Sequence, residues 1–129
     1  MFTESLKGFT DERGVLHPLS FDELPFTPKR MFLVSQVPAG VKRGDHAHYT
    51  TEQYLICLKG EIDVFLYDGD TTTCTTLKPM KGVYVPNLIW DSQVFKTGDD
   101  VLLVFASTDY NREDYIESTS KFEALKKIK

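Results

Sequence analysis

The chain has 129 residues, the size of one ordinary domain, and its 26% charged and 41% hydrophobic content is that of a soluble globular protein. No apolar run approaches the ~20 residues of a membrane-spanning helix. The net charge of -4, with basic residues scattered rather than striped, leaves no electrostatic footprint for nucleic acid.

The opening segment MFTESLKGFTDERG lacks the basic region and apolar core of a secretory signal, so the expected compartment is the cytoplasm. From there, short apolar runs succeed one another: VLHPLSF, MFLVSQV, EQYLICLKG, EIDVFLYDG, TCTTLK, GVYVP and DVLLVFAS. Turn-forming groups separate them, at Pro38-Ala39-Gly40, Lys59-Gly60, Asp68-Gly69-Asp70 and Thr97-Gly98-Asp99-Asp100. Regularly spaced short strands predict an all-β antiparallel sandwich or barrel, a single domain over residues 1–129. YDGD reads as a hairpin turn.

Alternation assigns faces. In EIDVFLY, Ile62, Val64 and Leu66 point one way, and Asp63, Phe65 and Tyr67 the other. VLLVF is apolar on both sides, which predicts a central strand covered on each face or a strand at a subunit contact. REDYIESTSKFEALKKIK carries apolar residues at Tyr115, Ile116, Phe122 and Leu125 among charges and ends in lysines, which predicts a C-terminal helix. Cys57 and Cys74 are far apart and form no CxxC pair, so both read as structural.

Two of the three histidines stand one residue apart in KRGDHAHYTTEQYLICLKG. On a strand, His46 and His48 project from the same face into whatever that face encloses. Neutral imidazole is both a ligand and a base near neutral pH, so the pair reads as metal ligands, as a proton-carrying pair or as plain strand histidines.

The wider spacing runs Gly40, five residues, His46, one residue, His48, four residues, Gln53, six residues, Gly60. It resembles the first motif of the cupins, which implies a jelly-roll barrel with these residues lining its pocket. In metal-binding cupins a glutamate and a third histidine complete the ligand set. Here Gln53 stands at the glutamate position, and Asp91, five residues after Pro86, stands near the histidine position. A metal could use His46, His48 and Asp91, with Glu52 as a further ligand only if it turned inward from the face opposite to that of Gln53, Leu55 and Cys57. The expectation is therefore no metal.

Five segments, DERGVL, LPFTPKRMFLV, RGDHAHYTTEQYLICLKGEIDVFLYDG, GVYVPNLIWDSQVF and VLLVFASTDYNREDYIESTSKF, together resemble the bacterial sugar 3,4-ketoisomerases. These are cupins that act on dTDP-4-keto-6-deoxyglucose. The resemblance implies that the ketone moves from C4 to C3 of the nucleotide-linked sugar through an enediol(ate), without a redox cofactor. The product would serve a later aminotransferase making 3-amino-3,6-dideoxyhexoses for lipopolysaccharide or S-layer glycans, and the enzyme would be a homodimer.

By the same resemblance, His48 is expected as the base and His46 as its partner, with the reverse order open. Gln53 either donates to the enediolate or holds the imidazoles in one tautomer. Arg43 is expected at the diphosphate or in a surface ion pair, with Arg30 and Arg13 as further candidates. Tyr84 and Trp90 are expected either to stack on the substrate or to fill the core. Many family members carry Trp-His where this chain has Trp90-Asp91, and Lys where it has Tyr49, so Asp91 is expected to replace a histidine at C4. His17, beside Pro18, reads as an exposed residue, or as part of a partner's site if the N-terminal strand crosses over. A sugar-nucleotide-binding cupin without turnover and a metal-dependent oxygenase remain as alternatives.

Overall fold

The computed structural model describes residues 3–127. Among them the chain forms β1 (Thr3–Ser5), β2 (Phe9–Asp11), β3 (Gly14–Leu16), β4 (Arg30–Ser35), β5 (Val41–His48) and β6 (Gln53–Lys59). It continues through β7 (Ile62–Tyr67), β8 (Thr72–Leu77), β9 (Lys81–Val85), β10 (Trp90–Phe95), β11 (Val101–Ala106), β12 (Tyr115–Ile116) and the helix α1 (Thr119–Lys127).

The strands build two five-stranded antiparallel sheets, ordered β1-β9-β6-β11-β4 and β12-β5-β10-β7-β8, while β2 and β3 form a separate hairpin. From β4 to β11 the chain passes repeatedly between the two sheets, which makes a jelly-roll sandwich of the cupin type. Between them lies the main core: Leu55, Val83 and Leu102 from one sheet meet Ile62, Val64 and Phe95 from the other. Burying each such side chain contributes about 1.5–3 kcal/mol, so the interior face of every strand is strongly specified.

The expected alternation holds in β7, where Ile62, Val64 and Leu66 are buried and Asp63, Phe65 and Tyr67 are half-buried. Asp68 closes the β7–β8 hairpin, its carboxylate accepting from the backbone of Asp70 and Thr71. β11 lies between β6 and β4, the central placement that its two-sided apolarity predicted. Its outer residue Phe105 packs with Leu24, Tyr54 and Ile56 in a second cluster.

Two expected elements differ. VLHPLSF is a strand only as far as Leu16; Pro18 restricts the residue before it and cannot donate to a ladder, and a short 3-10 turn follows at Phe21–Glu23. The C-terminal helix is shorter than expected. Arg112–Asp114 is a 3-10 turn, and Tyr115 and Ile116 pair with His48 and Ala47 of β5 before α1 begins. Tertiary hydrogen bonds to Asp114, described below, override the helical pattern there. Ile128 and Lys129, which the sequence placed in the same helix, lie outside the described residues. α1 buries Phe122 against Ala47, Trp90 and Ile116. No helix among the described residues is long and apolar enough to cross a membrane.

Candidate active site

His46 and His48 lie near the end of β5, their side chains on its inner face as the i, i+2 spacing predicted. An irregularity just before them sets their neighbours. β10 pairs Asp91 with His46 and Ser92 with Gly44, so Asp45 is an extra residue in β5. Such a bulge resets the alternation, which lets Arg43 and His46, three positions apart, line the same cavity. Gly44 and Asp45 both take left-handed backbone, with φ of 78° and 67°. A Cβ on residue 44 would stand 2.9 Å from the Gln93 amide nitrogen.

The cavity thus formed encloses about 80 Å³ between the sheets and is lined by Phe32, Arg43, His46, Gln53, Asp91 and Gln93, with aliphatic side chains beneath. Larger grooves lie elsewhere: about 340 Å³ beside the β2–β3 hairpin and about 460 Å³ on the outer face near Trp90. Neither combines an imidazole with a free carboxyl, which is what proton-transfer chemistry requires.

The electrostatics of the site follow from burial. His48 is 4% exposed, and its Nε2 has no hydrogen-bond partner among the described residues. Burial, followed by the neighbouring His46, lowers its pKa to about 4. The His46 pKa is also lowered, chiefly by burial. Both imidazoles are therefore neutral at pH 7, their rings edge to face at 5.0 Å. Asp91 is 1% exposed, and burial raises its pKa to about 7. The Gln93 amide donates to its Oδ1 at 3.2 Å and partly offsets that rise.

Gln53, at the start of β6, is buried on the opposite sheet and faces the same space. Arg30 is half-buried: its Nε donates to the Thr108 carbonyl, and its guanidinium lies over Phe32 and Tyr110. Its charge is one of the influences on His48.

Four expected residues stand outside this group. Tyr84 points away from the sandwich, where its hydroxyl donates to Glu52 and its ring packs on Phe26. Glu52 is thereby held outside too. Trp90 precedes Asp91 on the strand and takes the opposite face, against Phe122, with its Nε1 donating to Asp45. Arg13 is exposed at the hairpin tip and paired with Asp11. His17 packs near Gly8 in the N-terminal segment, half-exposed, with its Nδ1 buried and unpartnered among the described residues. Among those residues no group of three or more His, Cys, Asp or Glu side chains is gathered as a metal would require.

The sequence reading missed Gln93 and Tyr115. Gln93 was discoverable, because it lies two residues after Asp91 on one strand. The Tyr115 ring packs on both imidazoles, 4.9 Å from His46 and 4.5 Å from His48. It was hidden because its segment reads as helix.

The chain as a whole resembles known proteins. The family description FdtA: WxcM-like, C-terminal matches residues 2–127. The TDP-4-oxo-6-deoxy-alpha-D-glucose-3,4-oxoisomerase of Aneurinibacillus thermoaerophilus is 34% identical over 121 residues, 92% of this chain and 87% of the relative. QdtA, a sugar 3,4-ketoisomerase from Thermoanaerobacterium thermosaccharolyticum solved in complex with TDP, superposes with a TM-score of 0.93 at 31% identity. That match covers 98% of this chain and 94% of QdtA. A histidine-to-asparagine variant of QdtA, solved with TDP-4-keto-6-deoxyglucose, gives 0.93 at 30% identity, covering 99% and 94% of the two chains. On the extent of these matches, the chain belongs to the FdtA, WxcM-like C-terminal family.

Proposed function

We propose that this protein is an isomerase, a 3,4-ketoisomerase of TDP-4-keto-6-deoxyglucose, acting without a cofactor. The observation that carries the reading is the pairing of His46 with Asp91 across β5 and β10: a neutral base and a protonatable carboxyl line one cavity. The C3 hydrogen of the substrate is acidic because it neighbours the C4 ketone, so a base of near-neutral pKa removes it.

The cavity supports His46 as that base, the reverse of the order first expected, because His46 lines the space while His48 is packed beneath Tyr115. The resulting enediolate carries its charge on O4, where the Gln53 amide donates to it. Asp91, in its acid form, delivers a proton to C4 as the O3 proton passes to O4. The proton held by His46 then returns to the Asp91 carboxylate. Electrons and hydrogens are only redistributed, leaving a ketone at C3 and a hydroxyl at C4.

An enclosed space of about 80 Å³ takes the reacting edge of a hexose, well short of the ~300 Å³ of a full ligand pocket. The nucleotide therefore lies along the mouth, with Arg43 toward the phosphates; Arg30, beside Phe32, is the second cation.

The active form is a homodimer of single-domain chains. β4 is the edge of its sheet, and Met31 and Leu33 on its outer face are 56% and 55% exposed. The detached β2–β3 hairpin also exposes Phe9, Val15 and Leu16, and an isolated two-stranded ribbon is marginal in water. A second copy covers both, and a sedimentation experiment returning only monomer would remove this part of the proposal. The compartment is the cytoplasm, where nucleotide sugars are made and the free thiols Cys57 and Cys74 stay reduced. The product supplies an aminotransferase on the way to a 3-amino-3,6-dideoxyhexose of a surface glycan, lipopolysaccharide or S-layer.

The test is proton NMR of TDP-4-keto-6-deoxyglucose with the protein in deuterated buffer. The expected result is loss of the C3 proton signal and growth of a 3-keto product. Tight binding with no exchange would overturn the isomerase reading and leave a sugar-nucleotide-binding protein.

A further inference from the structure

We infer that Tyr115, anchored through Asp114, is a positioning residue that holds the His46–His48 pair in place and keeps it dry. This rests on the reading of those histidines as the proton carriers. The inference starts from the turn that joins β5 to β6, because it links His48 to Gln53 and so joins the two sheets that make the cavity.

That turn is held by one side chain. The Asp114 carboxylate accepts from Thr50 N at 3.0 Å and Thr50 Oγ1 at 2.8 Å on one oxygen. Its other oxygen accepts from Thr51 N at 3.0 Å and from Thr51 Oγ1. The Asp114 carbonyl accepts from Tyr49 N at 2.9 Å. Hydrogen bonds to a charged acceptor are the strong kind, and an anchor made of four of them to consecutive residues leaves the segment little freedom.

What the anchor delivers is the next residue. β12 is only two residues long, and its partners in β5 are His48 and Ala47. Ile116 enters the cluster with Ala47, Trp90 and Phe122, so the core side of β12 is already occupied. Tyr115 takes the other side and lies over both imidazoles at once. A residue serving only as core filler would join the apolar cluster instead. The ring excludes water from His48, whose Nε2 is buried without a partner among the described residues.

The groups facing His48 are His46 on its own strand, Asp114 from the turn before β12 and Arg30 from β4; Asp45 and Glu117 act on His46. All of these charges are retained when the Tyr115 ring alone is changed. Loss of the ring therefore acts through hydration and orientation of the imidazoles.

The experiment is an NMR titration of the imidazole signals in the substrate-free full chain, comparing wild type with Tyr115→Phe and Tyr115→Leu. A His17→Asn background removes the third histidine. Tyr115→Phe is expected to titrate as wild type. Tyr115→Leu is expected to raise the His48 midpoint by about one pH unit or more toward the free value, because hydration restores the charged form. In turnover assays the same variant is expected to lose about tenfold or more in kcat with little change in KM, since a misoriented base costs rate rather than binding.

An unchanged His48 midpoint in Tyr115→Leu would overturn the inference, and so would an equal shift in Tyr115→Phe. Should Tyr115→Leu not fold, Tyr115→Met, which keeps every charge facing His48 in place, is expected to shift the midpoint in the same direction; no shift there overturns the inference as well. Because the titration needs no substrate, a wild type without turnover removes the isomerase reading and leaves this comparison intact.

Discussion

The β5 wall of the cavity and the β10 wall carry ionisable groups of opposite sign, and one physical cause acts on both. On β5, burial lowers the His46 pKa below its ordinary value and that of His48, packed beside it, to about 4; on β10, burial raises Asp91 to about 7. A dry environment penalises charge whatever its sign, so it leaves the imidazoles unprotonated and the carboxyl partly protonated near pH 7. Acceptor and donor are thus prepared together, without an ion pair between them.

The largest effect should come from removing the acceptor. His46→Asn keeps a polar side chain but has no basic nitrogen, so kcat should fall about 10³-fold or more, with exchange of the C3 proton lost to the same extent. Asp91→Asn should separate the two walls: C3 exchange should persist while the 3-keto product forms about 10²-fold more slowly, as followed by NMR in deuterated buffer. Equal loss of exchange in both variants would mean that the walls do not divide the work.

His48 and Asp91 pull stability in opposite directions with pH. His48 has a folded pKa of about 4, below the ordinary value of 6.5, so its contribution is intact above pH 6.5 and lost as the pH falls toward 4. Asp91 has a folded pKa of about 7, above the ordinary 3.8, so its contribution is intact below pH 3.8 and lost as the pH rises toward 7. Between pH 4 and 6.5 the two trends offset each other. Asp91→Asn removes the second trend: the variant should match wild type near pH 4 and gain up to about 4 kcal/mol over it at pH 8, read from denaturant melts.

A subtler break acts through the bulge that brings the walls together. Gly44→Ala must place a Cβ at φ 78° and 2.9 Å from the Gln93 amide. The left-handed backbone costs about 1–2 kcal/mol, and the amide tip must swing away from Asp91. That bond lowers the Asp91 pKa, so its loss should move the basic limb of the rate profile to higher pH, a shift seen in kcat measured from pH 6 to 9.

How far this arrangement was legible in the sequence depends on the range of the forces that set each part. Period-two alternation reports local backbone geometry, so it placed Ile62, Val64 and Leu66 inward, and Gln53 on the face of Leu55 and Cys57. Alternation also separates two candidates: Trp90 and Asp91 are adjacent on β10, so their side chains take opposite faces. The bulge at Asp45 was not legible, because it appears only in the register of β5 against a strand more than forty residues away. Tyr115 was hidden for a related reason. Its segment has a helical pattern, but hydrogen bonds from Thr50 and Thr51 to Asp114 hold it as a strand, and that contact spans 63 and 64 residues.

The smallest expected effect lies on the face that the cavity does not use. Tyr84 was a stacking candidate in the sequence, yet its hydroxyl donates to Glu52 on the outside of the first sheet, and burial pushes its pKa up to about 12. Tyr84→Phe deletes that one hydrogen bond and keeps the ring against Phe26. A lost neutral donor to a carboxylate at a half-exposed site is worth about 1 kcal/mol, so the melting temperature should fall by a few degrees. Because nothing on that face touches the imidazoles or Asp91, kcat and KM should remain those of wild type. A tenfold rise in KM would place Tyr84 against the substrate after all, and would mean that the binding surface extends around the sheet edge beyond the two walls.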